Sequence, residues 1–515
     1  MKNRKYTLAA ATSTLIIGGL LLAGCSSPAA DTATTTATTS SSISSFTTGA
    51  VATEVLAANA NSTTVNDDEW TTDGAVTITL SGTTASADGD GVALTGSTVT
   101  ISAAGTYVVT GQFDGQVVVD TDQEGVVALI LYGAEISSST SAAIAVLNAE
   151  DVAVSLSGTN VLTSTGDDDE ANAALFSDAD MTISGDGSLT VNSSLNDGIT
   201  SQDDLMVLSG NISVTAGDDG LRGKDSLTIA GGSVTVDAGG DALKSDDETD
   251  DTRGFILISG GTLDLVAGDD GMQAQTDLVI TGGETMLTAT DDGLKSEVNL
   301  VVAGGTTAVE SSYEGVESYY ITIEGGALDV HASDDGINAT SGTSTTTDVG
   351  GIEEADDGAW VTVSGGETTV EAEGDGIDSN GSALFTGGTV TVFGSSSDRE
   401  GALDTNGSLV VDGGTVLAVG TTGMAVSPDA SSAQGWFSAA LDQTYGAGES
   451  VQVLDDSGAL IMEFSSAKTF QSVVLSDASL VAGSTYTVTV GDQTAGTVVE
   501  GVAAAGGMGG GPARP

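Results

Sequence analysis

Along the middle of the chain apolar residues come in short runs that alternate with polar ones, and the runs repeat. A residue pair after an Asp-Gly turn (Leu221, Leu243, Met272, Leu294, Val316, Ile337, Ile377) precedes a strand-like run that ends at Gly-Gly (Leu227 and Ile229, Ile256 and Ile258, Leu278 and Ile280, Leu300 and Val302, Ile321 and Ile323, Val361 and Val363). A third run follows the glycines (Val234 and Val236, Leu263 and Leu265, Leu328 and Val330, Val390 and Val392). Alternation with period two marks each run as a strand with one buried face. The residues that close the turns, from Gly198 to Ala402, are 22, 22, 29, 22, 22, 21, 40 and 26 residues apart. The basic period is therefore 22, and the two long steps are insertions at one equivalent place, residues 246–253 and 340–357.

Strands this short cannot stand alone. Their natural partners are the equivalent strands of the next repeat, stacked in parallel about 4.8 Å apart. The expected fold is all-β: a right-handed parallel β-helix with three faces and about 22 residues per coil over residues 70–414. A β-roll is excluded because its nine-residue Gly-Gly-x-Gly-x-Asp repeat is missing. Residues 415–500 lose the period but keep strands such as Ser450–Leu454, and read as a β-rich cap over the open end. The Gly-rich residues 501–515 read as a disordered tail.

The first 25 residues follow a different logic. Lys2, Arg4 and Lys5 precede an apolar stretch and then Leu22-Ala23-Gly24-Cys25, the order of a bacterial lipoprotein leader. An ordinary signal peptide containing a Cys is the alternative. The single Cys of the chain stands at the one position where a lipid thioether is needed, so Cys25 is expected to anchor the protein at the outer face of a cell membrane. The Ser/Thr-rich residues 26–69 are expected to be a disordered linker.

Composition narrows the function. The formal charge is −62, from 73 acids against 11 cations, which excludes a basic nucleic-acid-binding face. One Cys excludes a disulfide scaffold. Aromatic residues are only 4%, so the core is built from small and β-branched side chains. The solenoid is expected to be monomeric.

Stacking concentrates the acids. Asp219, Asp241, Asp270, Asp292, Glu314, Asp335 and Asp375 fall in one column, with Asp218, Asp269, Asp291 and Asp334 beside it. Unit charges about 5 Å apart repel by roughly 3 kcal/mol at an effective dielectric of 20. Over a column that repulsion rivals the stability of a domain. Lys and Arg look too few to offset it, and an all-oxygen ligand set favours Ca²⁺. The alternative is that Asp and Gly simply make good turns and the charges stay hydrated. The richest candidate group is Glu314, Glu317, Asp334, Asp335, Asn338, Asp375 and Asp378, with Glu353, Glu354, Asp356 and Asp357 nearby; a second is Asp241, Asp246, Asp247, Asp269 and Asp270.

The blocks Asp291-Asp292-Gly293-Leu294-Lys295-Ser296 and Ile280-Thr281-Gly282-Gly283, the lead-in Gly105-Thr106-Tyr107-Val108-Val109-Thr110-Gly111 and the lipobox together resemble the bacterial carbohydrate-binding β-helix family first recognised in a cellulolytic clostridium. The resemblance spans about residues 70–500. It implies a fold similar to polysaccharide lyases, bound calcium, and association with cellulose and pectin-like polymers.

Three functions stay open at this level. In a polysaccharide binder, Tyr319, Tyr320 and Trp360, with Tyr313 near, offer flat rings for sugar stacking; the alternative is that they cover the insertion. In a pectate-type lyase, Lys244 or Lys295 is the base candidate, on a column that also holds Arg222 and Gln273. The competing reading is that these cations only offset the acids, because flanking carboxylates raise a Lys pKa. The third is an adhesin or surface spacer. His331 has no second His to make a metal or acid–base centre with.

Overall fold

The computed structural model describes residues 49–166, 170–341 and 356–503. The leader with Cys25, the first part of the linker, Glu353 and Glu354, and the tail from residue 504 lie outside the described residues.

Within them the chain is an all-β solenoid with three ladders of parallel strands. One ladder stacks the runs before Gly-Gly, among them Ser226–Ile229, Phe255–Ile258, Asp277–Ile280, Asn299–Val302, Tyr320–Ile323 and Trp360–Val363. A second stacks the runs after it, such as Ser233–Ala238, Thr262–Ala267, Glu284–Thr288 and Ala327–Ala332. The third starts with longer strands, Thr98–Ile101, Gln116–Asp120, Ile144–Asn148, Ala173–Ser177 and Asp197–Ser201, and continues as three-residue strands from Leu221–Gly223 to Ile377–Ser379. Alternation sets what points inward: Val234 and Val236 are sealed in the core while Ser233, Thr235 and Asp237 face out. The inward residues of all three ladders form one continuous core.

Glycine is required where coils stack most tightly. At Gly220 a Cβ would lie 2.3 Å from Val236 Cγ1 and 2.5 Å from the Ala242 carbonyl of the next coil. Gly232 combines a φ of +86° with a Cβ position 2.7 Å from the Gly210 carbonyl. The repeated Asp-Gly and Gly-Gly signals therefore mark places where backbone of one coil touches backbone of the next.

The ends are closed by antiparallel pairs. At the start Val76–Gly82 pairs with Thr84–Ala87 and Val92–Thr95 with Thr98–Ile101. At the other end Leu409–Gly420, which runs past residue 414, pairs antiparallel with Phe470–Ser476. A separate antiparallel sheet of Leu460–Ser465, Ser450–Leu454, Thr485–Val490 and Gln493–Val499 follows, over its own core of Phe437, Phe470 and Tyr486.

The linker expectation needs correction. Residues 49–69 are not a free stalk but a strap laid across the outer face of the first ladder, running against the order of the coils. It contains one helical stretch, Ala52–Ala58, whose Ala52 and Val55 pack on Val279 and Val301. Further on Ser62 Oγ meets Ser226 Oγ at 2.8 Å, Thr63 N–H donates to Asp204 at 2.7 Å, and Val65 N–H donates to Thr182 at 2.9 Å. Val65 ends buried against Ala128 and Ala153. The cause was visible in the solenoid rather than in the linker: Val279 and Val301 alternate outward, yet are apolar and need a cover. No helix among the described residues is long and apolar enough to cross a membrane.

Replacing Val65 by Asp puts an unpaired carboxylate at a sealed contact. Limited proteolysis of V65D is expected to cut within the strap, while far-UV circular dichroism keeps the strand signal of the solenoid. Unchanged protease resistance of the strap would count against this packing.

Candidate functional site

Register pairing brings the predicted acids into line. The columns advance coil by coil, with Leu221 beside Leu243 and Met272 beside Leu294, so the turn residues before them stack as well. What holds the column is a hydrogen-bond ladder. The Oδ1 of one ladder Asp accepts the backbone N–H of the next: Asp219 from Asp241 at 2.9 Å, Asp241 from Asp270 at 2.9 Å, Asp270 from Asp292 at 2.9 Å, and Asp335 from Asp375 at 2.6 Å. Each carboxylate thus satisfies a backbone donor that the turn would otherwise bury unpaired. The neighbouring Asp218, Asp269 and Asp291 are exposed, and Asp334 is half-buried.

Two lysines neutralise the lower part of the ladder. Lys244 Nζ lies 2.7 Å from Asp241 and 3.1 Å from Asp219. Lys295 Nζ lies 2.6 Å from Asp292, 3.3 Å from Glu317 and 3.8 Å from Asp270. Burial alone would lower both ammonium pKa values, but the carboxylates outweigh it and hold both well above the ordinary lysine range. A charged lysine fixed in this way is a counterion and a poor proton acceptor.

Burial works the other way on the acids. It raises Asp219 and Asp270 to about 7 even against the pull of Lys244 and Lys295. In the upper coils burial and neighbouring acids raise Glu314 to about 8, Asp335 to about 6 and Asp375 to about 7. Glu317 is raised to about 7, chiefly by burial and Asp292.

Among the described residues three groups of carboxylates converge closely enough to hold a metal ion: Asp197 with Asp218 and Asp219, Asp269 with Asp270 and Asp291, and Asp292 with Glu314 and Glu317. The last already contains the Lys295 ammonium. The second sequence-level group does not assemble as expected. Asp246 is held by the Arg222 guanidinium, with Nη2 to Oδ2 at 2.9 Å. Asp247 accepts Thr249 N–H at 2.6 Å; burial would raise its pKa, but the Thr249 hydrogen bonds bring it to about 2. Asp378 stands beside Asn338 in register, with Glu317 on the other side of Asn338.

A second acid column escaped the sequence reading. Asp151, Asp180 and Asp204 open successive strands of the first ladder, and Asp277 and Asn299 follow higher up. Asp204 N–H donates to Asp180 at 3.1 Å, and Asn299 donates to Asp277 at 2.8 Å. The signal was an Asp or Asn immediately before the apolar pair, at the spacing of the repeat. Strap backbone groups bind to this column, as at Asp204.

The aromatic residues belong to the same column: Asn299, Tyr320 and Trp360 are register neighbours. They do not form an open platform. Trp360 is 8% exposed and Phe255 4%, while Tyr320 is half-buried with its ring centroid 4.3 Å from that of Tyr319. Tyr319 packs against the core, and its hydroxyl donates to the Asp357 carbonyl at 3.1 Å, where the chain returns from the insertion.

The sequence model of the family described as "Carbohydrate-binding domain-containing protein" matches residues 95–358 and 285–506. A relative from Acetivibrio thermocellus with the same description is 37% identical over 137 residues, which is 25% of this chain and 48% of the relative. The match thus spans about half the length of that relative. The solved structure of the polysaccharide lyase-like protein from C. thermocellum, a gadolinium derivative, is 31% identical, with 48% of this chain and 96% of that one covered and a TM-score of 0.39.

Two outcomes follow from the ladder. Carboxylates whose folded pKa is raised above the unfolded 3.8 to 4.5 contribute stability at low pH that is lost as pH rises through the folded values, about 6 to 8. In chelator, the melting temperature is expected to be higher at pH 5 than at pH 8; the opposite order would contradict the buried ladder. Lys244→Met leaves Asp219 and Asp241 buried without their cation and is expected to cost about 3–5 kcal/mol in chemical denaturation.

Proposed function

The chain belongs to the carbohydrate-binding domain family whose sequence model spans most of it, and on that premise we propose that it is a non-catalytic, lipid-anchored binder of polysaccharide at the cell surface. Cellulose and pectin-like polymers are the proposed ligands. The family is described by what it binds and not by a reaction. The observation that carries the non-catalytic reading is the state of Lys244 and Lys295: both lie between ladder carboxylates that hold them charged.

The coil is taken to be right-handed, as crossover connections between parallel strands nearly always are. Calcium is proposed at the acid edge, with Asp269, Asp270 and Asp291, and Asp197, Asp218 and Asp219, as the best ligand sets because their oxygens converge. Its role is to screen like charges that stacking forces together, and an acidic polymer would be bridged by the same ions. Of the rings, Trp360 is buried, Tyr319 and Tyr320 are half-buried and Tyr313 is exposed. Lipid attachment at Cys25 would hold the binder outside the membrane.

Pull-down with insoluble cellulose and with pectate gels, in calcium and in chelator, tests the reading. Retention by at least one polymer is expected, with the melting temperature raised by calcium. No unsaturated uronide should appear in the ultraviolet during incubation with polygalacturonate. Steady release of such products, lost in Lys244→Ala, would establish a lyase instead.

A further inference from the structure

The ladder changes character partway along the array. Lys244 and Lys295 stand in one register column, two coils apart, and make the same contact. Each ammonium lies between the ladder carboxylate three residues before it and the ladder carboxylate of the preceding coil: Asp241 and Asp219 for Lys244, Asp292 and Asp270 for Lys295. Asn338 takes that position two coils further on, with Asp335 three residues before it and Glu314 in the preceding coil.

The Asn338 amide does only part of what lysine does. Its Nδ2 donates to Glu314 Oε2 at 2.8 Å. Its Oδ1 is buried without a hydrogen-bond partner, in a residue only 9% exposed. Among the described residues no Lys or Arg forms an ion pair with Glu314, Asp335 or Asp375. The insertion that follows in sequence, residues 340–357, contains neither Lys nor Arg. Of the convergent carboxylate groups, the one of Asp292 with Glu314 and Glu317 reaches Glu314, whereas Asp335 and Asp375 belong to none. The repeat therefore shows how a cation sits in this column, and at Asn338 it supplies the acceptors without the cation.

We infer that an external primary ammonium occupies the lysine position at Asn338, and that it is carried by an aminosugar unit of a partly deacetylated polysaccharide. An ammonium offers three donors, and Glu314, Asp335 and Asn338 Oδ1 offer three acceptors. A sugar chain laid along the array meets a new coil about every 4.8 Å, so consecutive coils can be read by one polymer. The inference rests on the carbohydrate-binding reading and names the sugar chemistry for it.

The net charge of −62 attracts any polycation, so the test must separate the site from the general field. Asn338→Lys supplies the ammonium from within, and Thr235→Lys adds the same charge at an exposed position of the second ladder. Binding of the mature chain to chitosan, fully acetylated chitin and cellulose would be measured at fixed salt, with melting curves of both variants. The expected result is chitosan binding weakened at least about tenfold in N338K, little change in T235K, and a higher melting temperature for ligand-free N338K. Equal loss in both variants, or loss in neither, would overturn the inference. Retention by cellulose but not chitosan would overturn it and leave the family reading standing. Retention by no polysaccharide would remove both.

Discussion

The constraint on which this molecule depends is the in-register stacking of coils through backbone contacts. Parallel ladders fix the axial spacing, and the ladder aspartates fix it again at the turn, where each side chain accepts the N–H of its successor. A carboxylate is a strong acceptor for a backbone donor that no strand satisfies. The same stacking brings like charges to within one coil rise of each other. Stability and strain thus come from one geometry, and lysine counterions in the lower coils are the chain's own answer to the strain.

That economy explains why the two sections of the array differ in chemistry while sharing a fold. Where lysine fills the column, its ammonium already pairs with the ladder carboxylates beside it. Where Asn338 stands instead, acceptors remain buried and incompletely matched. Substitution at a single column position can therefore convert a structural coil into a recognition coil without disturbing the ladders. Repeat proteins tolerate such changes because each coil touches only its neighbours.

Much of this was legible in the sequence, and for identifiable reasons. The period, the strands and the stacking of Asp219 on Asp241 and Asp270 followed from spacing alone, because side chains in stacked parallel strands inherit the repeat. The column Arg222, Lys244, Gln273 and Lys295 was read correctly for the same reason. What spacing cannot show is depth. Trp360 looked like an open ring and is buried, and Asp246 looked like a metal ligand and is held by Arg222. The strap was missed because its own composition is that of a linker; the evidence for it lay in outward-facing Val279 and Val301, more than 200 residues away in sequence.

The direction of the strap has a mechanical meaning. Its upstream end lies over the Tyr320–Ile323 coil and its downstream end near Ala128 and Ala153, so it folds back on the array before the first strand begins. A pull delivered through the N-terminus loads its contacts one after another, from the α-turn at Ala52 toward Val65, as a zip opens. Sequential peeling yields at lower force than shearing all contacts together, so the strap gives way before the solenoid ladders beneath it. The strap is thus a compliant element in series with a stiff one.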